Sequence, residues 1–348
     1  MRFQQTIGSP VSCSGVGLHS GQPVTLTLRP APPNTGIVFV YRNGSEETLL
    51  PAAVSNKVPT ELCTAISVNG RQVKTIEHLL SALVGMEVDN VYAEVDAGEV
   101  PVLDGSASPF VRLIRAAGVI PQTRRQSYVK ITQPIEVVDG ARRVRIEPSS
   151  TPKITYSIHY DHPLIQTQSY TYACSASAFE QDIATARTFG FLHEVEALWA
   201  RGLGKGGTLD NTVILSKDGV VNESGLRFQN EFVRHKVLDL IGDIALLGFP
   251  FIGHIVAERS GHAMHTRLVE QILAQRDKWA LITGEHAVAA SESRSPLGLL
   301  RPAPSLAISP LLPSTRIRRY TPMPMPHKAM AAFRHKKTPE VSGLTPGV

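Results

Sequence analysis

Cysteine is scarce in this chain of 348 residues, and the few cysteines present offer no disulfide framework. Only Cys13, Cys63 and Cys174 occur, an odd number at scattered positions with no pair spacing typical of a stapled fold. This usage favours a reducing compartment, so we expect a cytoplasmic protein. Cys63, in ELCTAIS, has no neighbour in sequence that would lower its pKa, which favours a small buried hydrophobic residue over a nucleophile.

Long uninterrupted hydrophobic runs are also missing. The first residues, MRFQQTIGSPVSCSGVG, lack the apolar centre of a secretory signal. The segment VLDLIGDIALLGFPFIGHIVA is apolar, but it contains Asp239 and Asp243 and is broken by Gly248 and Pro250. Each acid would cost roughly 2.5–3.5 kcal/mol at the centre of a bilayer. We therefore predict a buried helix followed by a strand, and no transmembrane segment.

Nucleotide- and nucleic-acid-binding patterns are absent as well. GLGKGG matches G-x-G-x-x-G at Gly202, Gly204 and Gly207, but a strand-like segment follows where a dinucleotide site needs a helix. Lys205 is therefore read as a solvated lysine in a turn. No basic patch is interleaved with aromatic residues, so we expect no nucleic acid partner.

Positive charge is concentrated at the carboxyl end of the sequence. The formal net charge is +5, yet residues 294–348 contain nine Lys or Arg against one acid, Glu340, and are rich in proline. This composition predicts a disordered basic tail. The tail's arginines could touch anionic lipid at the inner membrane or nothing at all.

The remaining chain shows the same order of predicted elements twice. Strands PVTLTLRP and GIVFVYR precede a helix over 75–86, a strand over 88–96 and a helix from Ser106 to Ala117, capped by Ser106 or Ser108. Strands YVKITQPIEVVD, RRVRIEP and KITYSIHY precede a helix over 230–247, a strand over 251–258 and a helix from about 261. We predict domains at 1–122 and 123–293, with a linker over 118–127.

An apolar insert interrupts the second domain at about 188–215. It reads as a loop, an apolar helix, a glycine turn and a strand. Side chains such as Phe189, Leu192 and Leu198 could line an apolar passage.

Histidine and carboxylate residues occur at matching places in the two halves. Glu77 and His78 are adjacent on the first predicted helix of one half, and His235 and Asp239 are four apart on that of the other. Four-residue spacing places two side chains on one helix face. Two imidazoles and a carboxylate leave a coordination position open, as in catalytic zinc sites, and an adjacent carboxylate can act as base toward a metal-activated water.

Each of these residues also has an ordinary structural interpretation. His78 could be a hydrogen-bonded helix histidine, and His235 with Asp239 a local pair. Asp243 is either a buried acid at a cap or a partner for another histidine. His262, in RSGHAMH, is either exposed at a helix start or a general acid held by Asp243.

Longer segments carry a family resemblance: GVGLHSG (15–21), KTIEHLLSAL (74–83), DNVYAEVDAGEVPVLDGSASPFV (89–111), ARTFGFLHEVEAL (186–198), GLRFQNEFVRHKVLDLIGD (225–243) and SGHA (260–263). Together they resemble the UDP-3-O-acyl-N-acetylglucosamine deacetylases, zinc amidases of lipid A biosynthesis in Gram-negative bacteria. The resemblance runs from about residue 3 to 290. It implies a duplicated α+β sandwich of two domains, each a β-sheet with two helices, with the helices packed between the sheets and the active site at the domain interface.

The resemblance also implies roles for individual residues. Catalysis would use Glu77 as base, Thr188 at the oxyanion, and a cationic His262 held by Asp243; the metal ligands would be His78, His235 and Asp239. The substrate-binding set would be Lys236, Phe189, Arg259, Tyr160, His19, Cys63, Leu18, Leu192 and Leu198. Arg259 stands where a lysine is common and Tyr160 where a phenylalanine contacts uracil.

The implied reaction is the committed step of lipid A biosynthesis, in which one catalytic Zn²⁺, or Fe²⁺ in its place, supports removal of acetate from a UDP-sugar lipid. We expect a monomer. Two alternatives remain: a related zinc hydrolase of another N-acyl substrate, and a non-catalytic protein of the membrane surface.

Overall fold

The first half of the fold combines short strands with two helices. A computed structural model describes residues 1–44, 46–283 and 286–287. Its first strands are β1 (Phe3–Ile7), β2 (Val11–Val16), β3 (Pro23–Pro30), β4 (Ile37–Asn43), β5 (Glu46–Pro51), β6 (Lys57–Val58), β7 (Ala65–Val68), β8 (Arg71–Lys74), β9 (Val91–Val95) and β10 (Val119–Arg125). The helices of this half are α1 (Glu77–Gly85) and α2 (Ser108–Ala117).

The second half follows the same plan and carries the insert. Its strands are β11 (Ser127–Ile131), β12 (Ile135–Asp139), β13 (Arg142–Glu147), β14 (Lys153–Tyr160), β15 (Gln166–Ala173), β16 (Phe189–Phe191), β17 (Val213–Leu215), β18 (Phe251–Ile252), β19 (His254–Glu258), β20 (Trp279–Thr283) and β21 (His286–Ala287). Its helices are α3 (Ala176–Ala178), α4 (Leu192–Ala200), α5 (Glu231–Ile244) and α6 (His262–Ala274).

The two main sheets have identical topology. One is ordered β2-β3-β9-β4-β5 and the other β12-β13-β19-β14-β15. In each sheet every neighbouring pair is antiparallel except one, β4 with β9 and β14 with β19, which are parallel. In each half, one helix (α1 or α5) precedes the central strand of the sheet (β9 or β19), and another helix (α2 or α6) follows that strand. The predicted duplicated α+β fold is therefore confirmed.

Alternating burial explains these strands. In β3 the side chains of Val24, Leu26 and Leu28 are buried, and in β14 those of Ile154 and Tyr156 are buried, while the residues between them are more exposed. Period-two patterning of this kind places one face of each sheet against the core.

The helices of the two halves meet at a close crossing of α1 and α5. Gly242 of α5 faces the backbone of Glu77 on α1, and a Cβ built at Gly242 would lie 2.0 Å from the Glu77 carbonyl oxygen. Only glycine allows such an approach. This crossing brings the first turn of α1 beside the middle of α5, the two segments that carry the predicted metal ligands.

Some boundaries predicted from sequence were wrong. Residues 118–127 do not form a linker, because β10 occupies most of them and pairs antiparallel with β1. The partner strand lies more than a hundred residues earlier, so no local pattern indicates it. The predicted boundary between residues 122 and 123 falls within β10, and the domain limits remain a prediction.

Two predicted strands are each divided in the structure, and one cap differs. Pro134 separates β11 from β12, which belong to different sheets, and Gly253 separates β18 from β19. Helix α2 begins after Ala107, which makes no side-chain cap, although Ser106 Oγ accepts a hydrogen bond from the Ser108 amide at 3.2 Å. The predicted tail over 294–348 lies outside the described residues.

Among the helices within the described ranges, none has both the length and the apolar character that crossing a bilayer requires.

Candidate active site

His78, His235 and Asp239 converge where α1 crosses α5. One potential ligand atom from each lies within 4.8 Å of the others, and all three side chains are buried. Asp239 Oδ1 is 3.6 Å from His78 Nε2 and 3.3 Å from His235 Nε2. The sequence-predicted triad is therefore assembled in one place, with two imidazole nitrogens directed at the same carboxylate oxygen.

The hydrogen bonds around this triad favour metal coordination. His235 Nδ1–H donates to the Ala186 carbonyl at 3.1 Å, which leaves Nε2 as the unprotonated nitrogen facing Asp239. Burial lowers the pKa of His235 to about 3, so its imidazole is neutral, the form that binds metal. Burial alone would raise the pKa of Asp239, but the positive charges of Lys236 and His262 hold it well below its usual range.

Lys236 occupies the other oxygen of Asp239. Its Nζ donates to Asp239 Oδ2 at 2.7 Å and lies 5.7 Å from the centre of the Phe189 ring. Burial disfavours the ammonium, yet the charge of Asp239 outweighs this and raises the pKa of Lys236. Asp239 thus keeps Oδ1 toward the two histidines and Oδ2 toward a permanent cation.

Glu77 lies beside the triad with little access to solvent. Its Oε2 accepts the Thr64 amide hydrogen at 3.0 Å. Burial raises the pKa of Glu77, while the nearby charge of His262 opposes that rise. A carboxylate with a raised pKa next to a cation site is suited to accept and return a proton.

His262, at the first turn of α6, is held by Asp243. His262 Nδ1–H donates to Asp243 Oδ2 at 2.8 Å, and Nε2 is 3.9 Å from Asp239 Oδ2. Burial lowers the pKa of His262, but the charge of Asp243 and this hydrogen bond outweigh it and raise the pKa to about 9. His262 is therefore a cation at neutral pH, facing the same space as Glu77.

Aromatic side chains form a wall beside the triad. The Phe189 ring centre is 6.4 Å from that of His235, 5.8 Å from that of Tyr160 and 5.0 Å from that of Phe232. Tyr160, at the end of β14, also contacts Phe191. Two residues suggested for substrate binding, Phe189 and Tyr160, therefore lie together.

His19 and Leu18 lie where the insert rests against the first half. The Leu18 and His19 carbonyls accept the amides of Gly206 and Lys205 at 2.9 and 3.3 Å. His19 is buried, Glu99 accepts its amide hydrogen, and its Nε2 has no hydrogen-bond partner in the described part of the chain. Burial lowers the pKa of His19, with His262 and His78 among the charges that also lower it.

The remaining predicted residues surround this core at different depths. Cys63 is buried, and burial raises its pKa to about 12. Thr188 stands between Ala186 and Phe189, and its amide donates to the Gly105 carbonyl at 2.8 Å. Leu192 and Leu198 are half-buried on α4, a helix without a fully buried residue, and Arg259 is exposed just before α6.

Comparison with known proteins shows the family to which this chain belongs. The sequence model of the UDP-3-O-acyl N-acetylglycosamine deacetylase family matches residues 4–274. The chain belongs to this family. It is 46% identical over 288 residues to the UDP-3-O-acyl-N-acetylglucosamine deacetylase of Syntrophotalea carbinolica, covering 82% of this chain and 93% of that protein. It is 44% identical to the Syntrophus aciditrophicus protein of the same name over 279 residues, covering 80% and 89%.

Family membership confirms the resemblance inferred from the motifs and identifies the chain as a deacetylase of a metal-dependent family. The roles of single residues rest on the geometry above and remain predictions.

Three contributors to the site were missed in the sequence. His265 Nδ1–H donates to the same Asp243 oxygen at 2.7 Å, and its three-residue spacing from His262 on α6 could have indicated it. Thr64 donates its amide to Glu77, 13 residues later, and its hydroxyl to Asp243, 179 residues later in the sequence. Glu99 accepts the amides of His19 and Ser20 and the hydroxyl of Thr75, just before α1.

A large cavity lies elsewhere. It has a volume of about 730 Å³ and lies between the halves, lined by residues such as Arg2, Asp89, Tyr128, Ile244 and Leu247. None of the proposed site residues lines it, so the active site is assigned from its chemistry and not from cavity size.

Proposed function

We propose that this protein hydrolyses the N-acetyl group of a UDP-3-O-acyl-N-acetylglucosamine, releasing acetate and the free amine, the committed step of lipid A biosynthesis. The observation that carries the proposal is the buried His78–His235–Asp239 triad, with Glu77 and a cationic His262 beside it. The family match and the names of the relatives support this choice of substrate.

The triad suits a single divalent cation. Two neutral imidazoles and one carboxylate are the ligand set of many catalytic zinc sites, and the same set also binds Fe²⁺. When bound, the cation would lower the pKa of a water molecule toward neutrality and polarise the amide carbonyl. We propose Zn²⁺, with Fe²⁺ as the alternative metal.

Glu77 and His262 would divide the proton chemistry. Glu77 accepts the proton of the attacking water, which suits a buried carboxylate whose pKa is raised. His262, held as a cation by Asp243, stabilises the negative charge that develops on the acetyl oxygen, with Thr188 adding a polar contact. The leaving amine then takes a proton from Glu77 or from His262.

The substrate would extend away from the triad in two directions. Lys236, Phe189, Tyr160 and Arg259 are proposed to contact the sugar, the diphosphate and the uracil. On the other side, Leu18 and His19 adjoin the insert, where Leu192 and Leu198 would line the acyl passage, and Cys63 is proposed as a further substrate contact.

Metal content and turnover measured together test this proposal. His78→Ala, His235→Ala and Asp239→Ala should each reduce both bound zinc and deacetylation, because losing one ligand of three weakens metal binding strongly. Glu77→Gln should keep the zinc and lose on the order of 10²–10⁴ in rate, the usual contribution of a positioned base. A ligand variant that retains both tight zinc and full rate would show that the ligands are misassigned.

Substrate identity needs a separate comparison. Turnover of UDP-3-O-acyl-N-acetylglucosamine should greatly exceed turnover of the same sugar nucleotide without its 3-O-acyl chain, because binding of the chain contributes to the transition state. Equal rates for the two would indicate a hydrolase of another N-acyl substrate.

A further inference from the structure

We infer that the buried ion pair Arg187–Glu231 positions the metal ligand His235 through the backbone carbonyl of Ala186. Arg187 and Glu231 would act as positioning residues, because Glu231 is not among the clustered ligand atoms and is paired with the Arg187 guanidinium, a cation that cannot bind a metal ion. The inference rests on the proposed function only in taking His235 as a metal ligand.

The pair is enclosed and makes several hydrogen bonds. The Arg187 side chain is 4% exposed and that of Glu231 is 0% exposed. Glu231 Oε1 accepts both the backbone amide and Nε of Arg187 at 2.9 Å, and Oε2 accepts Arg187 Nη2 at 3.2 Å. Arg187 Nη2 also donates to the Gly225 carbonyl at 2.7 Å. The carboxylate thus fixes the backbone of residue 187 as well as its side chain.

Glu231 also restrains the chain on the other side of Ala186. Its Oε2 accepts the Arg227 amide hydrogen at 2.6 Å. The side chain of Arg227 then donates from Nη1 to the Thr185 carbonyl at 2.8 Å. Residues 185 and 187 are therefore both tied to Glu231, one through Arg227 and one directly, with Ala186 held between them.

The Ala186 carbonyl is the group that orients His235. It accepts the His235 Nδ1–H hydrogen bond at 3.1 Å, which fixes the ring and leaves Nε2 facing Asp239. Glu231 lies one turn before His235 on α5, so the path from Glu231 through Arg187 and Ala186 to His235 returns to the same helix. This closed path restricts both the ring plane and the tautomer of the ligand.

The hydrogen-bond acceptor is the backbone carbonyl of Ala186, which a side-chain substitution cannot remove. Its position depends on the contacts that hold residues 185–187 in place. Outer hydrogen-bond partners of metal-binding histidines typically contribute about 10- to 100-fold in metal affinity. We expect loss of the Arg187–Glu231 pair to have an effect of that size on zinc binding, without removing any ligand.

The central test is the double variant Arg187→Met/Glu231→Met in the full-length protein. Replacing both partners avoids leaving a lone buried charge, which by itself would destabilise the fold. The apparent Kd for Zn²⁺, measured by competition with a chromophoric chelator, should rise by about 10- to 100-fold. The visible spectrum of the Co²⁺-substituted protein should change, because it reports the geometry of the ligands.

A matched control removes another ion pair that also links distant segments. Arg2 donates to both carboxylate oxygens of Asp89, away from the metal triad. Arg2→Met/Asp89→Met can lower the melting temperature, but it should leave the Zn²⁺ affinity and the Co²⁺ spectrum unchanged. This comparison separates positioning of the ligand from a general loss of stability.

If the double variant does not fold, Glu231→Gln replaces it, since the amide keeps the shape but loses the charge that holds the Arg187 guanidinium. A folded variant of either kind with wild-type Zn²⁺ affinity and a wild-type Co²⁺ spectrum would overturn this inference and leave the proposed function standing. His235→Ala is measured in parallel: if it too keeps wild-type Zn²⁺ affinity, the proposed ligand set fails, and the inference with it.

Discussion

Asp243 shows how one buried carboxylate can set the charge of a neighbouring group. Its Oδ2 accepts hydrogen bonds from both His262 and His265, and Oδ1 accepts one from Thr64. The two histidines nevertheless differ: the pKa of His262 is raised to about 9, whereas burial lowers that of His265. The Nε2 atom of neutral His265 lies 2.9 Å from the Ser260 hydroxyl, so only His262 is available as the cation.

We predict that Asp243→Asn moves the basic limb of kcat/KM to lower pH. In the proposed mechanism, activity requires protonated His262 and is lost as pH rises through its pKa. Burial lowers that pKa and Asp243 raises it, so removing the carboxylate charge lets His262 lose its proton at lower pH. The profile would be measured from about pH 5 to 10 for both enzymes loaded with the same metal, so the difference isolates the carboxylate.

His262→Ala provides the companion measurement. It should lower the rate and alter the basic limb, because the titrating cation is gone. Unchanged basic limbs in both variants would remove His262 from the mechanism and leave Glu77 as the proton carrier. The acidic limb belongs to Glu77, the water and the metal titrating together, and cannot be assigned to one residue.

At the residue scale, sequence spacing predicted what lies on one helix, and little beyond it. His235 and Asp239 share a face of α5 because they are four apart, and Glu77 and His78 are adjacent on α1. The Ala186 carbonyl, which orients His235, could not be predicted, since a backbone acceptor has no sequence signature. Thr64 was missed because its partners, Glu77 and Asp243, come to it only through tertiary packing.

At the scale of elements, the crossing of α1 and α5 decides whether the two parts of the triad meet. We predict that Gly242→Ala weakens both stability and metal binding. The added Cβ would lie 2.0 Å from a backbone oxygen and 2.8 Å from the Cα of Glu77, and backbone atoms cannot rotate away. Overpacking of this kind typically costs about 1–3 kcal/mol, and moving α1 away from α5 separates His78 from His235 and Asp239.

Gly219→Ala is the matched control for this substitution. A Cβ at Gly219 meets no atom within 4 Å, so the same chemical change should leave stability and metal binding unaffected. The measurements are melting temperature and zinc retained after dialysis. Wild-type values for Gly242→Ala would show that α1 and α5 can shift together without disturbing the triad.

The insert offers a second test at this scale. Leu192 and Leu198 are half-buried on α4, whose other side chains are largely exposed. Leu198→Ser should lower kcat/KM about tenfold for a substrate with a long 3-O-acyl chain, as expected from losing the burial of one leucine. Leu198→Ser should not change kcat/KM for a short-chain substrate. Glu194→Gln on the same helix should not change kcat/KM for either substrate. Equal losses on both substrates would place the acyl chain elsewhere.

Helices and strands with a regular hydrophobic periodicity were predictable from the sequence, whereas strands that depend on a partner distant in sequence were not. Strands β3 and β14 alternate buried and exposed residues, and α5 has a continuous apolar face, so all were found within a few residues. Strand β10 was mistaken for a linker because Pro121 and two arginines resemble a loop, and within the described ranges its pairing strand is β1, far away in sequence. Gly242 did interrupt the apolar helix pattern, and a glycine inside a helix often marks a close approach.

At the scale of the whole molecule, duplication places the proposed catalytic site where neither half alone could make one. Helix α1 of the first half supplies Glu77 and His78, while α5 and α6 of the second half supply His235, Asp239 and His262. Hydrogen bonds from Thr64 to Asp243 and from Gly206 to Leu18 also join the halves near the site. The predicted site at the interface follows from this arrangement.

Two truncations test how much of the chain this arrangement needs. Every proposed site residue lies between Leu18 and His262, and the family match ends at residue 274. Removing residues 300–348 should therefore leave kcat/KM and melting temperature unchanged. Removing everything after residue 275 should instead unfold or strongly destabilise the protein, since it deletes β20, which pairs with β11 along five residues and carries the buried Trp279. Loss of activity in the shorter deletion, with melting temperature intact, would show that residues 300–348 contribute to catalysis and that the site described here is incomplete.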